Sequence, residues 1–191
     1  MSDNMNHEEL NAETQMPVSR REVVLAAGAT GFALGALSHS TNVVAASTDS
    51  ISKHAEYLGM PWEPAYGYAQ AVKVGDTIYV SGQLSHDDKG NMVAPAPLYA
   101  DGHIADHGNM GPQMAQSYSN AIEVLARYGA TLDNVVEEVL YVTDMDAAFA
   151  VAGKVRAEAY GGTPVVASTI LVTPRLAFRD QLIEIKLIAK Q

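Results

Sequence analysis

Two histidines four residues apart stand beside two carboxylates in Asp101-Gly102-His103-Ile104-Ala105-Asp106-His107-Gly108, a donor set able to ligate a divalent ion. Four-residue spacing aligns ligands only on a helix, and Gly102 and Gly108 argue against one. A polar surface loop flanking a cleft is the better account, and no metal is expected; His86-Asp87-Asp88 reads as a turn. The chain contains no cysteine, so a nucleophile would be an oxygen or a nitrogen. Glu184 lies in Leu182-Ile183-Glu184-Ile185-Lys186, where period two puts Leu182, Glu184 and Lys186 on one strand face. From the strand alone it is an outward-facing carboxylate. Ser81-Gly82 ends another strand, where glycine permits close backbone approach and Ser81 can hydrogen-bond a ligand or simply complete a turn.

Several elements must hold these residues. Tyr68 to Val74 alternates loosely, Gly75-Asp76 supplies a two-residue turn, and Thr77 to Ser81 is β-branched and aromatic, so the pair reads as a hairpin. Residues 84 to 110 carry Asp, Gly, Pro and His without periodicity and read as a long loop. From Pro112 to Gly129, Met114, Tyr118, Ala121, Ile122, Leu125 and Tyr128 recur at helical spacing. Val135 to Val142 reads as a strand. Ala147 to Tyr160 reads as a second helix with Phe149, Ala152, Val155 and Ala159 on one face, ended by Gly161-Gly162. Val165 to Val172 and Gln181 to Ala189 are the last strands. The order ββαβαββ is an α+β fold of two related halves, a mixed sheet covered on one face by two helices. Its other face needs a partner.

The 191 residues include 12 Lys and Arg against 22 Asp and Glu, a net charge of −10, and 48% hydrophobic residues. That fits one globular domain plus a spare segment, and the acidic surplus repels phosphate backbones, so no nucleic acid partner is expected. The spare segment is N-terminal. Ser19-Arg20-Arg21 leads into the apolar, glycine-rich run Val23 to Leu37, and Val43-Val44-Ala45-Ala46 is suited to signal-peptidase cleavage. Residues 1–46 therefore resemble a twin-arginine export signal, which predicts a periplasmic protein with no stable membrane insertion after cleavage; a cytoplasmic protein or an uncleaved anchor is the alternative. The leader departs from that pattern in being acidic, with Asp3, Glu8, Glu9 and Glu13 before its arginines. Fifteen residues at about 1.5 Å each fall short of a hydrocarbon core about 30 Å thick. Residues 47–65 read as an N-terminal extension and 66–191 as the domain.

The domain carries a resemblance in Tyr66-Gly67-Tyr68-Ala69-Gln70, Ile78-Tyr79-Val80-Ser81-Gly82-Gln83, Tyr128-Gly129-Ala130-Thr131-Leu132-Asp133-Asn134-Val135-Val136, Tyr141-Val142-Thr143-Asp144-Met145 and Ile183-Glu184-Ile185-Lys186-Leu187-Ile188-Ala189. In this order and separation they resemble the Rid (YjgF-type) family of enamine/imine deaminases. The resemblance implies a chorismate-mutase-like fold and a homotrimer with clefts at subunit interfaces. It also implies hydrolysis of a small-molecule imine or enamine to a carbonyl compound and ammonia, with no cofactor. Glu184 matches the family's catalytic carboxylate, which orients the attacking water or shuttles its proton. Tyr68, Ser81 and Gly82 match substrate-binding positions.

One departure bears on substrate. Family members that act on 2-imino acids place an arginine two residues beyond a proline equivalent to Pro164, where its fork binds the substrate carboxylate. Here the stretch is Pro164-Val165-Val166-Ala167-Ser168-Thr169, and a further family polar position falls on Gly153. Arg175, with Arg179, is the remaining candidate for substrate binding by another path. Without the anchor, a neutral or cationic imine is the better substrate, and a non-catalytic trimer that binds a small metabolite in the same clefts is the alternative.

Overall fold

A computed structural model describes residues 50–191 of the chain. The export-signal reading falls on residues 1–46 and lies outside the described residues. Among those described, no helix is long and apolar enough to cross a membrane.

In chain order the elements are β1 (His54–Glu56), α1 (Trp62–Tyr66), β2 (Ala71–Val74), β3 (Thr77–Gln83), α2 (Met110–Ala126), a short 3-10 turn (Leu132–Asn134), β4 (Val135–Val142), α3 (Met145–Tyr160), β5 (Ala167–Val172) and β6 (Ile183–Lys190). They form one six-stranded sheet in the order β1-β2-β3-β6-β4-β5. Only β4 and β5 run parallel, joined by the α3 crossover, and the other neighbours are antiparallel. The expected mixed sheet is present. β1 and α1 are additions within the stretch read as an extension: β1 pairs with β2, so the domain's sheet begins at His54 and not at Tyr66.

Local chemistry explains most of the boundaries. Gly75, at φ +59, turns the β2–β3 hairpin, whose last pair is Val74 with Thr77. The side chain of Asp144 caps α3 by accepting from Ala147 N at 2.8 Å, and Gly161 closes the helix at φ +69. On α3 the buried residues are Ala148, Ala152 and Val155, while Phe149 is 66% exposed. The expected stripe was thus one residue out at its start. The helix begins at Met145, ahead of the expected Ala147, and Ala148 is the position i−4 to Ala152. Ile122 on α2 likewise points outward, beside a stripe of Met110, Met114, Tyr118, Ala121 and Leu125.

β6 lies between β3 and β4, and its alternation organises the layers. Ile183, Ile185, Leu187 and Ala189 are fully buried on the helix side. Glu184, Lys186, Ile188 and Lys190 take the other face. The core cluster joins these β6 residues to α2 and α3. Within it, Glu138 is completely buried, accepting from Tyr118 Oη at 2.9 Å and Tyr160 Oη at 3.0 Å, with Arg156 Nη2 2.6 Å from its other oxygen. Burial and the neighbouring carboxylate push both phenols well above their ordinary pKa, so they remain donors to Glu138.

Two buried amides on α2 hold the loops. Gln113 donates to Ala94 O at 2.9 Å and Asp180 O at 2.8 Å and accepts from Leu182 N at 2.8 Å. Asn120 donates to Leu84 O at 2.8 Å. The long loop after β3 and the segment leading into β6 are therefore fastened to the same helix.

Candidate functional site

Glu184 sits near the start of β6 on the open face, opposite Tyr141 of β4. On its other side the end of β3 comes so close that a Cβ at residue 82 would force the Glu184 side chain to shift. A Cβ on Gly82 would overlap Glu184 Oε1 and lie 2.7 Å from its Cγ. The ladder between β3 and β6 is irregular from Val80 to Gln83, which lets the backbone drop beside the carboxylate. Gln181, fully buried, donates to Glu184 Oε2 at 3.3 Å and to Ile183 O at 3.0 Å, and accepts from Phe178 N at 3.3 Å. Glu184 Oε1 has no hydrogen bond among the described residues.

Glu184 and Gly82 line a cleft of about 250 Å3. Its remaining wall is apolar and largely aromatic. Trp62 and Tyr66, four apart on α1, come from one side, and Tyr68 follows directly after Gly67 caps that helix at φ +69. Leu84 comes from the strand end, Ala177 and Phe178 from the loop before β6. Trp62 and Phe178 meet edge to face, with ring centroids 5.5 Å apart. Burial raises the Tyr68 phenol above its ordinary pKa, and the Glu63 and Glu184 carboxylates raise it further. The phenol is a neutral donor at physiological pH.

A second carboxylate supports this wall without lining the Glu184 cleft. Glu63 is 4% exposed and accepts from Leu58 N at 2.9 Å, Gly59 N at 3.0 Å and Gln70 Nε2 at 2.9 Å. Gln70 in turn accepts from Gln83 Nε2 at 2.9 Å. Ser81 belongs to the same scaffold: its hydroxyl donates to Ala69 O at 2.8 Å and its amide to Gln70 O at 2.8 Å. It latches the Tyr68 segment to β3 and does not itself line the cleft.

Of the residues singled out in the sequence, Tyr68, Gly82 and Glu184 are brought together. Arg175 is not. It lines a neighbouring cleft, also about 250 Å3, with Gly102, His103, Thr143 and Arg179. Phe178 belongs to both clefts and separates them. His103 is an exposed neighbour of Asp101, 3.1 Å away, and among the described residues no three His, Asp or Glu side chains gather as a metal would need. The position two beyond Pro164 is Val166, and it is remote: its neighbour Ala167 pairs with Glu137, four residues along β4 from Tyr141. At about 3.3 Å per residue it is roughly 13 Å along the strand from Glu184 and two strands across the sheet. Within one chain, a side chain there cannot serve the Glu184 cleft.

Sequence reasoning missed Trp62, Tyr66, Leu84, Ala177, Phe178 and the supporting pair Glu63 and Gln181. The available signal was the aromatic spacing Tyr57, Trp62, Tyr66, Tyr68, dense for the end of a stretch read as an N-terminal extension and the start of the domain.

A carboxylate with one free oxygen, beside a neutral phenol and between aromatic faces, can accept a proton from water and stabilise adjacent positive charge. The family model described as Endoribonuclease L-PSP matches residues 60–191. A RutC family protein of Saccharolobus solfataricus is 34% identical over 129 residues, covering 68% of this chain and 90% of that protein. The mouse (Mus musculus) protein named 2-iminobutanoate/2-iminopropanoate deaminase is 30% identical over 79 residues, 41% of this chain and 50% of that protein. Among solved structures, a member of the YjgF/YER057c/UK114 family from Mycobacterium tuberculosis superposes with TM-score 0.57 at 26% identity, over 73% of this chain and all of that one.

The crowding between Gly82 and Glu184 predicts a measurable coupling. Gly82→Ala alone is expected to lower stability by about 1–3 kcal/mol through overpacking. In a Glu184→Ala background the same change should be nearly neutral, as read by urea denaturation of the four proteins in a double-mutant cycle. Additive effects would show that the carboxylate does not occupy that space.

Proposed function

Because the chain belongs to the Rid/YjgF family, matched by the Endoribonuclease L-PSP model over residues 60–191, we propose that it hydrolyses reactive imines or enamines to a carbonyl compound and ammonia. The observation that carries this reading is the Glu184 carboxylate, with one oxygen oriented by Gln181, the other free, and a neutral Tyr68 phenol on the same cleft. Glu184 takes a proton from water as its oxygen bonds to the C=N carbon. The phenol of Tyr68 donates a hydrogen bond to the nitrogen or to the developing hydroxyl. Return of that proton makes the nitrogen an ammonium leaving group, and as the C–N bond breaks to release ammonia the hydroxyl gives its proton to Glu184 and becomes the carbonyl, so the residues supply proton transfer and orientation and no further group is required. The mouse deaminase's name supports the reaction class, and the absence of the arginine after Pro164 argues for a different substrate range. A ribonuclease role fits poorly with a chain of net charge −10 whose cleft presents a carboxylate.

The same proposal includes assembly and export. The open sheet face carries Tyr79, Val139, Tyr141, Leu171 and Ile188 beside Glu184 and Lys186, no helix among the described residues lies over it, and β5 is exposed along most of its length. Three copies packed through these sheets would cover it and bring one subunit's β5 towards its neighbour's cleft. Light scattering at micromolar concentration is expected to give three times the chain mass. A monomer would remove the shared cleft. For the leader, replacing Arg20 and Arg21 with lysine is expected to keep a tagged protein out of the periplasm. Undiminished export of that variant would remove the twin-arginine assignment.

For the chemistry, Glu184→Gln is expected to keep fold and assembly, because the amide is nearly isosteric, and to lower imine hydrolysis by about a hundredfold or more. Ammonia release from freshly generated imines measures this. Unchanged rates in the variant would overturn the role of Glu184, and no hydrolysis by the native protein would leave a metabolite-binding trimer as the better reading.

A further inference from the structure

The Glu184 cleft has one charged side chain on its wall, and that charge is negative. The aromatic faces of Trp62, Tyr66, Tyr68 and Phe178 make up most of the remaining surface. No cation lines it. Within one chain Arg175 and Arg179 stand beyond Phe178, and the β5 residues Ala167–Val172 that the proposed assembly would bring towards the cleft from a neighbouring copy include no lysine or arginine. A substrate bearing its own carboxylate would meet Glu184 as a like charge in a partly desolvated site, with no guanidinium to offset the repulsion. A protonated imine meets the reverse situation, attracted both by the carboxylate and by the ring quadrupoles.

Resting on the deaminase reading, we infer that this cleft selects protonated imines that carry an aromatic or bulky apolar substituent and no carboxylate. The ring of such a substrate lies against the aromatic wall that the touching Trp62–Phe178 pair forms with Tyr66 and Tyr68, and its C=NH2+ group faces Glu184 Oε1. A two- or three-carbon imino acid would leave the aromatic walls wet. The balance of the step is R–CH=NH2+ plus H2O giving R–CHO plus NH4+: a C–O bond forms, the C–N bond breaks, and both protons of water end on the products with no change of oxidation state. Such an imine arises by two-electron oxidation of a primary amine. The reaction that supplies this protein is therefore of the amine oxidase or amine dehydrogenase class, and an amino-acid oxidase supplies the wrong charge.

Trp62 is the single tryptophan of the chain, so intrinsic fluorescence reports directly on the cleft. Three stable probes share a ring and differ in charge: benzylammonium, benzyl alcohol and benzoate. Titrated into the full-length protein, benzylammonium is expected to change the emission saturably, with a dissociation constant at least tenfold below that of the alcohol and a hundredfold below that of benzoate. Glu184→Gln should reduce the cation-over-alcohol ratio to about one, and Phe178→Ala should weaken all three. Benzoate binding as well as benzylammonium, or no saturable signal from the cation, would overturn the inference. In turnover, the imine of benzylamine should exceed 2-iminopropanoate at least tenfold in kcat/KM, and the opposite order would also overturn it. Selective cation binding without hydrolysis of either imine would sink the deaminase reading alone, whereas hydrolysis of 2-iminopropanoate with no cation preference would sink the inference alone.

Discussion

A carboxylate and a strand end compete for one small volume in this fold, and the outcome decides the shape of the site. Glu184 stays beside β3 because residue 82 has no Cβ, and the irregular pairing between Val80 and Gln83 brings the backbone close enough for that to matter. From this contact outward the arrangement is determined by layers. The buried residues of β6 anchor it beneath α2 and α3, so Glu184 is forced onto the opposite face. Gln113 ties the segment entering β6 to α2, which fixes where Gln181 and Phe178 can stand.

The site is a polar object set in an apolar wall, and each part is stabilised differently. Glu63 is a buried charge whose cost is offset by two backbone amides and a carboxamide. Glu184 is only partly buried and has a single weak donor, so its free oxygen stays available. The two carboxylates flank Tyr68, and their common effect is to keep its phenol protonated. One is structural support and the other faces the cleft, a distinction set by how many donors each has.

Long periodic segments were legible in the sequence, and short ones were not. The hairpin around Gly75, the two helices and the last strands carry repeated apolar spacing with glycine or aspartate at their ends. β1 and α1 span three and five residues, too few for a period to show, and Pro64 inside α1 reads as a breaker. Their importance comes from contacts distant in sequence: Trp62 packs on Phe178, and β1 on β2. The cleft trio Tyr68, Gly82 and Glu184 was reachable through the family resemblance and not through pattern, since Glu184 alone looks like any outward strand carboxylate. Ser81 was singled out for a hydroxyl that the fold spends on Ala69 O. Arg175 lay a few residues from Phe178 in the chain, yet the aromatic ring puts it in a different cleft.

The fit between residues 82 and 184 also imposes an order on sequence change. A lineage that gives up the glycine first must tolerate a clash, while one that first shortens the glutamate opens room and can then accept any small residue at 82. Once that room is filled, reverting the glutamate meets the newcomer's Cβ and carries the same overpacking cost. Loss of the carboxylate in this fold is therefore harder to reverse once residue 82 has gained a side chain, and a glycine retained there keeps the path back open.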